Sequence, residues 1–396
     1  MNKTNIGIIG GGASGMLCAI LIKKANLDCD VTIYERQDKI GKKLLQTGNG
    51  MCNITNRALE DYVTALDMYN NDFVKQAIKT FDLQTCLKTF ESLGLVCWED
   101  SEGRFYPYSR KATTVLNVLL KAIHDLDIKV MTNTCISAIQ VCDDFSIYTD
   151  IFQLFHCDYL VIALGGKGSI AYNDNIKTLL TTVGHTVSKM YPALVALKTE
   201  ENIKSLKGIR IKAKATMLVD DEVVYKTQGE IQFKEEGISG IAIMECSRFY
   251  VVDKNNYIEL DLMAEKEEAE VEELLTTLYS NINNYSDVLL GIFPKMLVFD
   301  LVKRLKVLDS KHIAHLVKHY KFTIVDTYGF KNSQLTKGGI VTTEVNPFSF
   351  ESLVNPKMYL LGEMLDVDGM CGGYNLHFAW ASAYLAAQDI IRKIEE

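Results

Sequence analysis

Short apolar runs alternate with amphipathic stretches in the first part of the chain, which predicts alternating strands and helices. Residues 4–9 form an apolar run of strand length, residues 16–25 show helical spacing, and residues 30–35 form a second apolar run that ends in an acid. An order of strand, helix and strand is typical of an α/β fold with a parallel sheet. The alternation continues with helical spacing in residues 72–92 and 112–126 and with strand-like residues 129–162.

The segment between the first strand and the first helix, GGGASG at residues 10–15, fits the pattern G-x-G-x-x-G. In nucleotide-binding turns the first glycine permits the tight bend, the second lets a pyrophosphate approach, and the third allows helix and strand to pack closely. Gly10, Gly12 and Gly15 hold these positions, and a helix start at Ala13 and Ser14 offers free N–H groups to phosphates. The sequence therefore predicts a dinucleotide-binding turn.

Glu35 ends the second strand, 20 residues after Gly15. A carboxylate at this place accepts hydrogen bonds from ribose hydroxyls and disfavours a 2′-phosphate, so the expected nucleotide is FAD or NAD rather than NADP. The alternative is a glycine-rich turn that binds nothing, because the motif alone is common by chance. Strand, turn, helix, strand and acid all occur in register here, which favours a binding turn.

The loop that follows Glu35, residues 36–56, departs from a plain NAD-binding unit, which would proceed to its next helix. It is basic, glycine-rich and polar, which suits a large cofactor that extends across the domain. A surface loop is the alternative, because Gly, Asn and Thr are common in loops. The candidate cofactor contacts in this loop are Arg36, Lys43, Thr47, Gly48, Gly50, Cys52 and Asn53.

The glycine turn, residues 41–56 and residues 361–381 together resemble one family of bacterial FAD-binding flavoproteins, whose members are named aminoacetone oxidases or 3-dehydro-bile-acid reductases. The C-terminal motifs are LGEMLDVDG, CGGYN and FAWA, and weaker similarity extends to essentially the whole chain. This resemblance implies bound FAD and NAD(P)/FAD-dependent oxidoreductase activity. Met51 and His377 stand where the family usually has arginine and glutamine, so the substrate of a family member is not carried over.

The C-terminal segment predicts a strand at residues 358–361 that points at Gly362 and a final helix over residues 374–394. By the resemblance, the start of this helix faces the flavin, where the helix dipole stabilises the negative charge that reduction places on the ring. An ordinary helix-capping loop with solvated acids is the alternative. The candidate contacts are Gly362, Glu363, Asp366, Gly372, Gly373, Tyr374 and Asn375.

Two further cofactor contacts are implied by the resemblance. The chain is expected to return to the dinucleotide at Gly165, after the apolar run of residues 159–164, although a simple strand-ending turn is the alternative. Ile136 is expected to bond near the adenine through its backbone. The catalytic acid or base stays unknown; His377 is a weak candidate because histidine titrates near neutral pH, and a packed or capping histidine is the stronger alternative.

The composition changes after Tyr191-Pro192, and no second glycine motif follows. We therefore expect an α/β protein in which a Rossmann-like FAD-binding domain, residues 1–190 and 333–396, is interrupted by an insert at residues 191–332. The insert is expected to be mainly β and barrel-like over residues 191–262 and mainly helical over residues 263–332. Such an insert is expected to shape a substrate pocket.

The charge balance and the cysteine spacing exclude several classes of protein. The 396 residues carry 42 Lys+Arg against 50 Asp+Glu, a net charge of −8, so no nucleic-acid partner is expected. No two of the 10 cysteines are three residues apart, which excludes a Cys-x-x-Cys dithiol and favours reduced thiols.

The N-terminal apolar run is broken by glycines and is too short to span a bilayer, so a cytoplasmic protein without a membrane partner is expected.

Three histidines at positions 312, 315 and 319 raise the question of a metal site. The spacing of four between His315 and His319 suits two ligands on one helix face. However, the zincin glutamate is absent, and neighbouring lysines would repel a cation. A solvated basic helix face and no metal are therefore expected, because the histidines lie among Lys311, Lys318 and Lys321.

The expected function is that of an FAD-dependent oxidoreductase acting on a small molecule. The favoured version reduces a carbon–carbon double bond beside a carbonyl, with NAD(P)H as a transient electron donor because a second nucleotide-binding motif is lacking. The alternatives are amine oxidation with dioxygen and, from another class, a flavin-binding regulator or a flavoprotein that acts on RNA. The substrate, the electron donor or acceptor and the oligomeric state are left open.

Overall fold

The computed structural model describes residues 3–59, 71–168 and 175–396. The chain divides into two compact units, each considered by itself below. The split unit comprises Met1–Tyr191 and Leu335–Glu396, and the inserted unit comprises Pro192–Gln334.

The strands of the described residues are numbered in chain order. They are β1 Thr4–Ile9, β2 Cys29–Tyr34, β3 Thr55–Asn56, β4 Cys97–Glu99, β5 Arg104–Pro107, β6 Lys129–Met131, β7 Ile136–Val141, β8 Phe145–Thr149, β9 Leu154–Cys157, β10 Tyr159–Ile162, β11 Tyr191–Ala193, β12 Leu197–Thr199, β13 Arg210–Val219, β14 Glu222–Phe233, β15 Gly237–Ser239, β16 Asn256–Asp261, β17 Tyr320–Thr327, β18 Leu335–Lys337 and β19 Met358–Leu360.

The α-helices of the same residues are numbered in the same way. They are α1 Ala13–Lys24, α2 Asn71–Thr80, α3 Leu83–Glu91, α4 Ala112–Asp125, α5 Asn175–Thr182, α6 Ile241–Cys246, α7 Glu268–Ile282, α8 Tyr285–Leu290, α9 Lys295–Arg304, α10 Ser310–Lys318 and α11 Tyr374–Glu395.

The split unit is built on a five-stranded parallel sheet in the order β19-β10-β1-β2-β6. The central strand β1 places Ile8 between Ile33 of β2 and Val161 of β10, and all three side chains are fully buried. Burial on both faces is typical of parallel sheets and accounts for the continuous apolar runs in the sequence. The sheet therefore holds the end of β1, where the glycine turn begins, at the centre of the unit.

Helices α1 and α11 are the most deeply buried helices of this unit, and they pack beside each other. Trp380 of α11 is fully buried and meets Phe90 edge to face, with ring centroids 5.0 Å apart. The helical pattern predicted over residues 72–92 is divided at Asp82, whose carboxylate accepts a hydrogen bond from Thr85 N at 2.7 Å and caps α3.

The inserted unit contains a closed six-stranded barrel in the order β12-β15-β14-β13-β16-β17. Buried and exposed residues alternate along β13, as a barrel wall requires. Helices α7 to α10 account for the helical part, whereas α6 lies within the region predicted as strands. The fold class predicted from the sequence, a Rossmann-like sheet with a barrel and helical insert, is confirmed.

Among the residues that the structure describes, no helix is both long enough and apolar enough to cross a bilayer.

Candidate active site

The turn after β1 is shaped by contacts that exclude side chains. Gly10 has φ +111°, and a Cβ at this position would lie 2.3 Å from the carbonyl oxygen of Ala163. A Cβ on Gly15 would lie 2.0 Å from the carbonyl oxygen of Gly10. These two glycines let β1, α1 and the end of β10 approach each other closely, as the motif requires.

Gly12 differs from its two neighbours in the motif. Its backbone is extended (φ −81°, ψ −168°), and a Cβ at this position would meet no atom within 4 Å. Helix α1 begins at the next residue, and no side chain caps it or contributes an acid to its first turn. The first N–H groups of a helix have no intrahelical partner, so this open space beside Ala13 and Ser14 suits an anion.

The carboxylate of Glu35 is held on the loop that follows β2. Its Oε2 accepts a hydrogen bond from Gly11 N at 2.9 Å, and its Oε1 accepts one from Gln37 N at 2.9 Å. Each oxygen retains a lone pair, so the carboxylate can still accept a hydrogen bond from a ribose hydroxyl. The loop carboxylate is therefore fixed in place before any ligand binds.

A cleft that is open to solvent lies beside Glu35. Thr134 N donates to the carbonyl oxygen of Glu35 at 2.8 Å, which brings the buried Ile136 into the wall of the cleft. The predicted positions Glu35, Arg36 and Ile136 are thereby brought together. The complete lining is Ile9, Gly10, Tyr34, Glu35, Arg36, Thr134, Cys135, Ile136, Leu164 and Leu179.

The loop of residues 36–56 contains a short 3₁₀ segment, Leu44–Gly50, with left-handed backbone at Gly48 and Asn49. Thr47 Oγ1 donates to the carbonyl oxygen of Leu44 at 2.6 Å, which stabilises the turn. Cys52 follows and is fully buried, and this burial raises the pKa of its thiol to about 12. Cys52 is therefore a protonated packing residue rather than a thiolate.

The end of this loop meets the start of α11. Asn56 Nδ2 donates to the carbonyl oxygen of Gly372 at 2.9 Å. Gly373 has φ +99°, and a Cβ there would lie 2.7 Å from Asn53 Oδ1 and 2.9 Å from the carbonyl oxygen of Thr55. Asn53 Oδ1 is buried and has no hydrogen-bond partner within the described chain. A buried acceptor of this kind is costly unless a ligand supplies the donor.

The loop after β19 reaches the glycine turn. Gly362 N donates to Ser382 Oγ at 3.0 Å, which ties the loop to the buried face of α11. A Cβ on Gly362 would lie 3.0 Å from Ser14 Oγ. The structure therefore brings Ser14 and Gly362 together, although they come from opposite ends of the chain.

Glu363 is the centre of a hydrogen-bonded cluster. Its Oε2 lies 2.5 Å from Lys43 Nζ, and its Oε1 accepts a hydrogen bond from Thr336 N at 3.0 Å. Thr336 Oγ1 accepts hydrogen bonds from Lys167 N at 2.7 Å and from Gly168 N at 3.1 Å. The cluster gathers Lys43, Glu363 and the segment that follows Gly165. Thr336 was missed in the sequence, where an isolated threonine carries no signal.

The side chains at two other predicted positions, Asp366 and Asn375, form hydrogen bonds within the protein. Asp366 Oδ2 accepts a hydrogen bond from Ser188 Oγ at 2.8 Å. The Asn375 amide accepts from Gly369 N at 2.6 Å and donates to the carbonyl oxygens of Gly369 and Met370. These contacts shape the loop before α11, so the side chains of both residues act on its conformation.

His377 lies in the first turn of α11 and is fully buried. Its Nε2 donates to the carbonyl oxygen of Phe81 at 2.7 Å, and its Nδ1 lies 2.8 Å from Thr55 Oγ1, which donates to it. Burial lowers the pKa of His377 to about 4, so the ring is neutral. Both nitrogens are engaged and neither reaches solvent, which contradicts the weak candidacy of His377 for catalysis and agrees with a packed histidine.

The split unit fits an extended dinucleotide such as FAD. The observations that carry this fit are the open space at Gly12, the cleft beside Glu35 and the unpartnered oxygen of Asn53. The other predicted contacts stay predictions, and the structure gives their places in the fold: Gly50 ends the 3₁₀ segment, Gly165 follows β10, and Gly372 and Tyr374 stand at the start of α11.

The basic face expected around His315 and His319 is a wrong prediction. Glu268 Oε1 lies 3.1 Å from His315 Nδ1, and Glu259 Oε1 lies 3.2 Å from His319 Nδ1. These acids come from elements distant in sequence, which local inspection of α10 does not show.

A family model described as "HI0933-like protein Rossmann domain" matches residues 4–389. The chain is 34% identical over 408 residues to the 3-dehydro-bile acid delta(4,6)-reductase of Clostridium scindens, and the match covers 98% of each chain. It is 25% identical over 412 residues to the ribosomal RNA dihydrouridine synthase of Haemophilus influenzae, again over 98% of each chain. The resemblance inferred from the motifs is confirmed.

Among solved structures, the 3-ketosteroid delta1-dehydrogenase of Sterolibacterium denitrificans in complex with 1,4-androstadiene-3,17-dione shares the fold. The TM-score is 0.53 at 11% identity, and the match covers 99% of this chain and 100% of the dehydrogenase chain.

Proposed function

Because the chain belongs to the HI0933-like Rossmann family and is an FAD-dependent oxidoreductase, we propose that it reduces a carbon–carbon double bond conjugated with a carbonyl group. The proposed electron donor is NAD(P)H, which binds transiently. Two relatives support this bond type, because one is named a delta(4,6)-reductase of a 3-dehydro-bile acid and the other forms dihydrouridine. In both named reactions hydrogen is added to an alkene near a carbonyl.

The residues proposed to hold FAD follow the path described above. The start of α1 at Gly12, Ala13 and Ser14 binds the pyrophosphate, and Glu35 accepts hydrogen bonds from the adenosine ribose. Arg36 and Ile136 border the adenosine side of the cleft. When bound, FAD supplies a ring that accepts and returns a hydride.

The start of α11 is the observation that carries the proposal. Gly372 and Gly373 place this helix end against Asn53 without any side-chain cap. The positive end of the helix dipole stabilises negative charge on a neighbouring reduced ring, and Asn53 Oδ1 offers it an unused acceptor. Thr55 and His377 fix the first turn of the helix, so this electrostatic environment exists before reduction.

Anaerobic stopped-flow absorbance of the FAD-loaded protein tests the proposal. NADH or NADPH should bleach the flavin band, and a steroid or bile acid with a 3-oxo-Δ4 group should restore it. The matched control is the saturated 3-oxo compound, which should leave the band bleached. If only a small amine bleaches the flavin and only dioxygen restores it, the protein is an amine oxidase and the proposal is wrong.

A second candidate function is the reduction of uridine in ribosomal RNA, which the 25% identical synthases favour. The net charge of −8 argues against binding a phosphate backbone. Mass spectrometry of ribosomal RNA incubated with the protein and NADPH tests this function. A gain of two hydrogens per modified uridine supports it, and unchanged RNA together with enone reduction leaves the first proposal.

A further inference from the structure

Two helices of the inserted unit, α7 and α10, bring imidazole and carboxylate groups together on its surface. His315 lies in the last turn of α10, and His319 follows the end of that helix. Glu268 lies in the first turn of α7. One ligand atom from each of these three residues lies within 4.8 Å of the other two. We call these three residues the His–Glu cluster.

The spacing inside the cluster suits a metal ion. Glu268 Oε1 lies 3.1 Å from His315 Nδ1, and Glu268 Oε2 lies 3.3 Å from His319 Nε2. Ligands that bind zinc at about 2.0–2.2 Å in a tetrahedron are about 3.3 Å apart. The separations from Glu268 to the two imidazoles therefore match those of coordinated ligands, and the ligand atoms of the two histidines lie within 4.8 Å of each other. The exposed side of the cluster leaves room for a water molecule as fourth ligand.

A fourth residue orients one ligand from behind. Glu259 of β16 places its Oε1 3.2 Å from Nδ1 of His319. With its proton on Nδ1, the His319 ring presents the lone pair of Nε2 toward Glu268. A carboxylate behind a ligating histidine is the usual outer partner in zinc sites, where it fixes the tautomer and raises the basicity of the ligand.

Two of the three lysines that the sequence places near these histidines, Lys318 and Lys321, are paired with other groups. Lys318 Nζ lies 2.7 Å from Asp261 Oδ2 and also donates to the carbonyl oxygen of Met263. Lys321 Nζ lies 3.6 Å from Asp221 Oδ1 and 3.8 Å from the centroid of the Tyr257 ring. Both ammonium groups are therefore paired with other groups, and the cluster itself carries the carboxylate of Glu268, with that of Glu259 behind His319.

We infer that Glu268, His315 and His319 form a binding site for a divalent transition metal of the zinc class, with Glu259 as the outer residue that orients His319. Two imidazoles and one carboxylate are ligands that suit zinc, nickel and copper better than magnesium or calcium. The bound ion joins the start of α7 to the end of α10. This inference does not rest on the proposed function.

Isothermal titration of the chelator-treated, FAD-loaded full chain with zinc chloride tests the inference. All proteins carry Cys142→Ser, which removes an exposed thiol. One zinc ion per chain should bind, and His315→Ala, His319→Ala or Glu268→Gln should each weaken binding at least tenfold. Glu259→Gln should keep the stoichiometry and weaken binding about 10–100-fold, as outer-residue substitutions do.

His312→Ala is the matched control, because His312 lies on the same helix and its side chain bonds to Asp309 instead of the cluster. Its backbone N also bonds to Asp309, so the helix cap survives the substitution. This variant should bind zinc as the parent does, and thermal unfolding without zinc should show that every variant folds. The inference is overturned if the parent binds no zinc. It is also overturned if His315→Ala and His319→Ala bind zinc as tightly as the parent does.

Discussion

Helices α1 and α11 of the split unit both begin without a side-chain cap, but the surroundings of the two helix starts differ. At α1 the residue before the helix, Gly12, borders empty space and has a backbone that any residue can adopt. At α11 the corresponding Gly373 has a left-handed backbone and is packed against Asn53 and Thr55. Both ends expose a helix dipole, yet one is open and the other is lined by polar side chains.

This difference separates two reasons for using glycine. At α1 we propose that Gly12 is glycine because a side chain would occupy the space of the pyrophosphate, whereas Gly10 and Gly15 are required by the close packing of the protein itself. At α11 the glycine serves the packing of the loop that carries Asn53. The start of α1 therefore requires open space beside Gly12, whereas the start of α11 requires the residues packed against Gly373.

The largest expected effect comes from Gly15→Ala. The new methyl group would lie 2.0 Å from the carbonyl oxygen of Gly10, so β1 and α1 have to separate. We expect a loss of at least about 4 kcal/mol in the free energy of unfolding, which belongs to the severe class of single substitutions. Urea denaturation followed by far-UV circular dichroism measures it, and a loss below about 1 kcal/mol would contradict the close packing.

Gly12→Ala should separate binding from folding. Its Cβ meets no protein atom within 4 Å, and the backbone angles suit alanine, so the free energy of unfolding of the apoprotein should change by less than about 1 kcal/mol. The affinity for FAD should fall about 100-fold, or about 2.7 kcal/mol, because the methyl group occupies the pyrophosphate space. Fluorescence titration with FAD measures the affinity. Unchanged affinity would show that the open space is not the pyrophosphate site.

His377→Gln should remove a pH dependence of the free energy of unfolding that arises from the buried imidazole at the start of α11. The folded pKa of about 4 lies below the ordinary value of 6.5, so the unfolded chain binds a proton that the folded protein rejects between these values. The parent should therefore lose about 2 kcal/mol more than the variant when the pH falls from 7 to 5. Denaturation curves at both pH values measure this difference, and parallel losses would mean that His377 is accessible to protons.

Asn53→Ala should have the smallest effect of the four substitutions when folding and FAD binding are considered together. The substitution removes a buried oxygen without a partner, which offsets the lost packing, so the unfolding free energy of the apoprotein should change by no more than about 1 kcal/mol. The FAD affinity should fall about tenfold if the cofactor donates a hydrogen bond to this oxygen. A stability loss with unchanged FAD affinity would assign Asn53 a purely structural role.

The sequence was informative wherever function requires a particular backbone. The glycine turn, the strand before Glu35 and the glycines before α11 were all predicted because few sequences satisfy such local constraints. Helix α6 was missed because Ile241–Cys246 is a short apolar run, and periodicity cannot distinguish a buried strand from a buried helix at that length.

Long-range side-chain pairing could not be predicted from the sequence. Thr336 bonds to the backbone of Lys167 and Gly168, and no local pattern marks this relation. His315 and His319 were predicted to lie on a basic face because their neighbours in sequence are lysines. Their neighbours in space include the acids Glu259 and Glu268. Only the assembled barrel and helices bring these carboxylates to the same surface.

The order of strands in the parallel sheet has a consequence for biogenesis. Strand β19 pairs with β10, yet the ribosome makes it only after the whole inserted unit has been translated. Domains generally acquire structure in the order of synthesis, so the barrel can fold while the sheet still lacks its edge strand. Since the proposed flavin contacts Gly372 and Gly373 are translated last, we expect FAD to bind only after nearly the whole chain has been made.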